Sequence, residues 1–572
     1  MPPKLPRGTP TGFFHVQRLH NAWWFIDPTG KPFFALGTNR VDYLNTPDRD
    51  GVHQYHHNIK SRFPTEAAWS VHIAKRLRAW GFNTMGLRAG SKIKAFRAWP
   101  HYAWCPASHP FAAKKARLTA PGVPGYMTFV DIFDPAFARL YDRNCRQLAA
   151  PQRRDPNLLG YYTDNELFWG VTDGPGQSLL DAVLFQSPAT FNKRELVRFL
   201  RDRYNNDLAS LNANWQLHLP SWRALLQLRT LPTLSDPIIA DKRAFLYHYA
   251  RHYFKTVSTI LRKHDPNHLI LGCRIHGWSE PEVAHAMGEF IDVVSFNKYD
   301  NDAPSWHMAE LFGREANLPT LVSEWGFRAM DAGLPNTGGV GRITADQSTR
   351  GQKYAHFLEG LARSPWCVGS IFYAYVDDPA TGGGGIMKNE NSNYGIVNIH
   401  DQPYAPFVRH LLPAHRQVLA QHLQGELPTR TISIATPRDF HREPISRFFI
   451  QTNGLVTNHR YLRAFIQGPD AGRDSQPTTF DFDFPTPIHF IVKVYETENT
   501  PTLQFVLDGR LIKSVPLHAG PRKGKVSYAM PQGHHTIWDR PLTLRIPKGP
   551  HTLTLQCPTP GWLWLDGYEI HP

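Results

Sequence analysis

From residue 31 to about residue 425, strand-length apolar runs alternate with segments whose apolar residues recur every three or four positions. The first run, "KPFFALGTN" (31–39), leads through a loop rich in His and Asp to a helical pattern at 65–82. There Ala68, Val71, Ala74, Leu77 and Trp80 share one predicted face. Further strands are predicted at 83–88, 126–135, 157–166, 268–277, 291–300, 319–327 and 367–379. Further helices are predicted at 136–150, 242–266, 306–318, 345–365 and 404–423. Eight strands alternating with helices predict an α/β fold, a (β/α)8 TIM barrel. The competing arrangement, a doubly wound open sheet, expects a glycine-rich phosphate loop after its first strand, and "ALGTNRVD" is not one. Residues 167–240, after the fourth strand, read as a lid-like insertion with helical character of its own around 196–217.

The rhythm changes at both ends. Residues 1–30 read as an N-terminal β extension, with Asp27-Pro28-Thr29-Gly30 as hairpin-turn chemistry between apolar runs. Residues 426–445 are linker-like. Residues 446–572 carry strand-length runs with turn pairs at Asp508-Gly509 and Lys548-Gly549. That pattern predicts an all-β jelly-roll sandwich, carbohydrate-binding-like or accessory.

A chain of 572 residues fits two or three such domains. No run of 18 apolar residues appears, so no membrane span is expected. The opening "MPPKLPRGTPTGFF" is basic but lacks the apolar core of a signal peptide, which leaves a cytoplasmic chain or one already processed. Cys105, Cys145, Cys273, Cys367 and Cys557 are not spaced for zinc or as Cys-x-x-Cys, and buried free thiols are expected. The formal net charge of +15 favours a polyanionic partner. The positive residues do not form a run of five and no nucleic-acid motif stands out, so neither nucleic acid nor membrane is expected as partner. Oligomeric state is left open.

The chemistry concentrates at strand ends. "LLGYYTDNELFWG" (158–170) drives a buried-strand pattern straight into Asp164-Asn165-Glu166, and the seventh strand ends in Ser323-Glu324-Trp325. An N-cap is the plain alternative for Asp164-Asn165. In an eight-stranded barrel the fourth and seventh strands face each other across the lumen, so Glu166 and Glu324 converge at the catalytic end. Two facing carboxyls are the machinery of glycoside hydrolysis. His53, His56 and His57 form a group after the first strand, but no further ligands follow at strand ends. No metal or other cofactor is expected.

An Asn-Glu pair ending strand four and a Glu ending strand seven resemble the clan A retaining glycosidases over most of residues 12–425. "GYYTDNE", "SEWGFRAMDAG", "ADQSTRGQKYAHFLEGLARSPWCVGSIFYAYVDDPATG" and "NENSNYGIVNIHDQPY" resemble the beta-agarases of glycoside hydrolase family 50, with the family 42 beta-galactosidases second. Phe372-Tyr373 departs from the tryptophan those agarases tend to carry. The resemblance implies that Glu166 is the general acid/base, held protonated by apolar neighbours such as Phe168 and Trp169, and that Glu324 is the nucleophile. It implies that Asn165 holds the sugar 2-hydroxyl and that Tyr299 touches the nucleophile. Arg88, Arg274 and His276 are candidates for bonds to Glu324 or substrate. Asn39, Asp42 and Asn297 are candidates for sugar hydroxyls, and Trp325 and Trp278 for sugar faces.

The expected activity is a retaining hydrolase of β-galactosidic linkages in a galactan, agar or a sulfated chain such as carrageenan. In the sulfated case Arg40, Arg49, Arg88 and Arg328 are the candidate sulfate partners. The alternatives are a β-galactosidase or other β-glycosidase on neutral substrates and, in another class, a non-catalytic polysaccharide-binding protein. A polysaccharide substrate implies a secreted or periplasmic location.

Overall fold

The structure is a computed structural model. In the first part of the chain it describes residues 5–87, 94–171, 176–277, 279–299, 305–341, 343–383 and 390–424. Beyond these it describes 431–433, 455–457, 464–467, 478–484, 486–498, 500–518, 526–530, 533–559 and 562–571. The chain divides into two compact units, Met1–Gly425 and Glu426–Pro572.

The first unit opens with a three-stranded antiparallel sheet, His15–Leu19, Ala22–Ile26 and Pro32–Phe33. Its tight turn is the one expected: the Gly30 amide donates to the Asp27 carbonyl, and Gly30 takes φ +87°, which glycine adopts at no steric cost. Phe14, just before this sheet, and Phe25 within it join one core with Ala35, Leu159, Leu269, Leu321 and Val368. Those five stand at the N-terminal ends of barrel strands. The small sheet therefore stoppers that end, and the opposite end is left for chemistry.

The barrel strands are Ala35–Thr38, Thr84–Met85, His101–Trp104, Leu158–Tyr162, the pair Leu269–Ile270 and Ile275–His276, Val294–Asn297, Thr320–Trp325 and Cys367–Phe372. All neighbouring pairs are parallel. The sheet begins and ends in segment 269–276, which closes it: the Leu271 amide donates to Tyr161 on one side, and the Leu271 carbonyl accepts from Ser295 on the other. The fifth strand is broken where Gly272 and Arg274 take φ +77° and +50°.

Two local expectations need correction. The third strand is His101–Trp104, not 126–135. Residues 126–132 do bury Met127, Phe129, Val130 and Ile132, but their backbone runs as coil bonded to Leu118 and Phe168. An apolar run of strand length, buried continuously over 127–130, met its burial there without a ladder. In the helix Glu66–Ala79, capped by Thr65, the buried face is Trp69, Ile73 and Leu77, while Val71 is 64% exposed. Two faces fit the spacing, and the bulk of Trp69 selects one. The insertion contributes Leu179–Phe185, Phe191–Arg203, Leu208–Trp215 and Trp222–Leu225. Asp241 of the long helix Asp236–His264 ties it down, accepting from Arg203, Tyr204 and Trp215 at 2.6–2.7 Å.

In the second unit a five-stranded and a four-stranded antiparallel sheet share a core that includes Phe490, Val492, Leu503, Phe505, Leu544 and Leu553. Asp508-Gly509 turns the hairpin between Thr502–Leu507 and Arg510–Pro516. The linker-like stretch and the run 446–451 lie outside the described residues except for Thr431–Ser433. All five cysteines are buried free thiols.

Candidate active site

The fourth strand ends at Tyr162, and the next residues divide the two carboxylates between different tasks. Asp164 is fully buried and turns into the wall, accepting from the Ser108 and His109 amides at 2.7 and 3.2 Å and from the Tyr253 hydroxyl at 2.7 Å. Glu166 takes φ +49°, a left-handed conformation that costs a non-glycine residue. Arg274 and Arg40, at the ends of the fifth and first strands, do the same at +50° and +58°. Left-handed backbone thus gathers at this end of the barrel.

The seventh strand needs a different device. Leu321 faces the barrel core, so strict alternation would send Trp325 inward and Glu324 outward. The ladder slips at Ser323: Phe296 pairs with Val322, but Asn297 pairs with Glu324. A bulge of this kind re-aims side chains. Glu324 consequently enters the site. Trp325 instead stacks on Phe357 of the helix Gln347–Arg363, with ring centroids 4.0 Å apart, and its indole donates to Ser370. Trp325 is fully buried packing, so the expected sugar-stacking role does not fit its position.

Around Glu324 the partners are specific. Arg274 donates to one carboxylate oxygen and the Tyr299 hydroxyl to the other. The Asn297 amide nitrogen lies 2.8 Å from Glu166 Oε1, 3.3 Å from Asn165 Oδ1 and 3.5 Å from Glu324 Oε2. The two glutamate oxygens are therefore at most 6.3 Å apart, the sum of the two Asn297 distances. His276 Nδ1 is 3.8 Å from Glu166 Oε1. Asn39 is buried and divides its amide between the Ser323 carbonyl and the Leu87 amide, so it braces strand ends. Asp42 is half-buried and accepts from the Leu44 amide. Arg88 and Trp278 lie outside the described residues.

Further residues surround the two glutamates. Arg40 is buried and pairs with Asp378 at 2.8 Å, and it also donates to the Tyr373 hydroxyl. Glu390 is 9% exposed and close enough to Asp378, Arg40, Glu324 and Glu166 to feel their charges. These groups come from loops without periodicity. Arg40 was expected to meet sulfate instead, while Tyr373, Asp378 and Glu390 stand in stretches singled out for their resemblance to agarases rather than for any pattern of their own.

Burial pushes the Glu324 carboxyl up, Arg274 pulls it back down, and the charge of Glu166 adds to the rise. Burial also pushes Glu390 up to about 8, helped by Asp378 and opposed by Arg40. Burial pushes the His276 imidazole down, and the charge of Glu166 opposes it. Phe168 packs on Phe129, and Trp169 on Tyr253 and Phe254, so their rings belong to the surrounding core. Two of the arginines expected to meet sulfate are committed elsewhere: Arg40 as above, and Arg328, which is buried and donates to the carbonyls of Asn336, Gly338 and Gly341 and to Ser392. Arg49 is exposed. Among the described residues no three His, Cys, Asp or Glu side chains gather as metal ligands, and no helix is long and apolar enough to cross a membrane. His56 packs on Tyr43 and His53 bonds the Asn45 carbonyl.

No protein-family model matches the chain. It is 26% identical to Beta-agarase B of Vibrio sp. (strain JT0107) over 473 residues, 70% of this chain and 48% of that protein. It is 28% identical to Beta-agarase A of the same strain over 457 residues, 69% of this chain and 44% of that protein. The chain thus spans about half the length of these relatives or less. Among solved structures it is similar to an exo-beta-agarase, with a TM-score of 0.65 and 21% identity over 74% of this chain and 66% of that one. At that identity the likeness establishes the fold. Together these findings bear out the resemblance to the family 50 beta-agarases.

Proposed function

We propose that the chain is a retaining glycoside hydrolase of the beta-agarase type, cleaving β-galactosidic linkages in a neutral agarose-like galactan. The observation that carries this is the separation of the two glutamate oxygens, at most 6.3 Å with Asn297 between them. Inverting enzymes hold their carboxyls about 6.5–9.5 Å apart to admit a water, whereas retaining enzymes hold them at about 5–5.5 Å. Glu324, oriented by Arg274 and Tyr299, attacks the anomeric carbon as Glu166 protonates the departing oxygen. Glu166 then takes a proton from water, which attacks the same carbon and releases Glu324. Asn297 and Asn165 are within reach of the sugar 2-hydroxyl, where hydrogen bonds strengthen in the oxocarbenium-like transition state.

The sulfated alternative loses its main support at the reaction centre. Arg40 is paired with Asp378 and Arg274 with Glu324, while Glu166 and Glu390 add acid. A sulfate beside the cleaved bond would meet more carboxyl than guanidinium. Acting on a polysaccharide implies work outside the cytoplasm.

Early-time NMR of the products from neutral agaro-oligosaccharides tests the proposal. The first product is expected as the β-anomer. An α-anomer appearing first, or turnover restricted to the sulfated chain, would overturn it.

A further inference from the structure

Tyr126 presents a problem that the reaction centre does not explain. It is the most exposed Phe, Tyr or Trp among the described residues, at 46%, yet the chain on either side is held, the Met127 amide donating to the Pro124 carbonyl across a turn. Thr128, two residues on, bridges Leu167 in parallel, and the Phe168 amide donates to the Thr128 carbonyl at 3.1 Å. Met127, Phe129 and Val130 are buried beneath it. The ring is thus pinned beside the end of the fourth strand, one residue's reach from Glu166. It meets the His276 ring edge-on, with centroids 6.0 Å apart, and His276 in turn stands 3.8 Å from the Glu166 carboxyl. Partial burial and the charge of Glu166 both push the Tyr126 hydroxyl up.

A large ring left in water on a rigid support, beside the group that protonates the leaving oxygen, suits a sugar. Pyranose rings carry an apolar C–H face, and an aromatic ring offers a broad apolar surface at small cost in side-chain freedom. We propose that Tyr126 is the stacking platform for the leaving-group sugar, the residue bonded through the scissile oxygen on the acid/base side. This rests on the reading of Glu166 as acid/base. The ring face provides the contact, and the hydroxyl is dispensable.

The test uses the full chain and two substrates that differ only beyond the cleaved bond: a neutral agaro-oligosaccharide, and the glycosyl fluoride of the same glycone, which has no leaving sugar. In Tyr126→Ala, kcat/KM is expected to fall at least about fivefold more on the oligosaccharide than on the fluoride, while Tyr126→Phe follows the parent on both. Equal losses on both substrates, or no loss on the oligosaccharide, overturn the platform. A second series measures calorimetric binding of the oligosaccharide in a Glu324→Gln background. Adding Tyr126→Ala is expected to weaken Kd by about fivefold and adding Tyr126→Phe to spare it. Unchanged Kd overturns the platform whatever turnover the parent shows. If instead Glu166→Gln and Glu324→Gln keep full turnover, the acid/base reading fails separately, and stacking stands or falls on the Kd series.

Discussion

Glu324 is gripped on both oxygens, by Arg274 and by Tyr299, and this grip sets what its removal should do. Arg274 lowers the Glu324 pKa against burial, so Arg274→Met should raise it and move the acidic limb of the kcat/KM profile to higher pH. An acidic limb that stays in place would show that Arg274 does not tune this carboxyl. Glu390 gives a stability prediction. Its folded pKa, about 8, lies above the ordinary carboxyl value, so the folded form holds a proton that the unfolded form releases earlier. Its contribution is complete at acid pH and is lost as pH rises through about 8. Glu390→Gln should therefore shrink the fall in Tm between pH 5 and pH 8, and an unaltered fall would contradict the assignment. At this scale the approach of Glu166 to Glu324 was legible because strand ends are legible. Trp325 was not, since a one-residue bulge at Ser323 exchanges the directions of its neighbours and leaves no mark on composition. The pairing of Arg40 with Asp378, 338 positions apart, is equally invisible to local pattern.

Elements were legible where periodicity had one solution. The capped helix Glu66–Ala79 was found in the right place, yet its buried face was misjudged, and the two faces predict opposite outcomes. Trp69→Ala should cost about 3–5 kcal/mol, while Val71→Ala should stay within about 0.5 kcal/mol. Denaturant unfolding of both variants checks this, and comparable losses would restore the other face. The third strand shows the opposite failure. "HYAW" is short, lies between Pro100 and Pro106 and mixes polar with aromatic side chains. The stretch 126–132 is apolar enough to read as a strand but, with 127–130 buried, covers the end of the fourth strand instead. Its role emerges only from the bridge between Thr128 and Leu167.

Over the whole molecule the net charge of +15 drew attention to polyanions, but charge counts do not say where the charge is free to act. Arg40, Arg274 and Arg328 are bonded to carboxylates and carbonyls. Turnover of a neutral oligosaccharide should accordingly change by less than about twofold when salt rises to about 0.5 M, although the Debye length shrinks severalfold from its low-salt value. A steep decline would return weight to an anionic substrate. The barrel and the composition shift near residue 425 could both be read from periodicity, because one hydrophobic rhythm gives way to another there. The two-sheet pairing of the second unit could not, since strand order depends on partners distant in sequence. The central claim is that Glu324 forms a bond to the sugar. A 2-deoxy-2-fluoro glycosyl fluoride of the preferred glycone slows release of such an intermediate, so the intact chain can be weighed and its peptides mapped. The account predicts one added glycosyl mass, carried by the peptide containing Glu324 and absent from Glu324→Gln. Label on another residue, or turnover of the natural substrate without any trapped species and with inverted product, would contradict it.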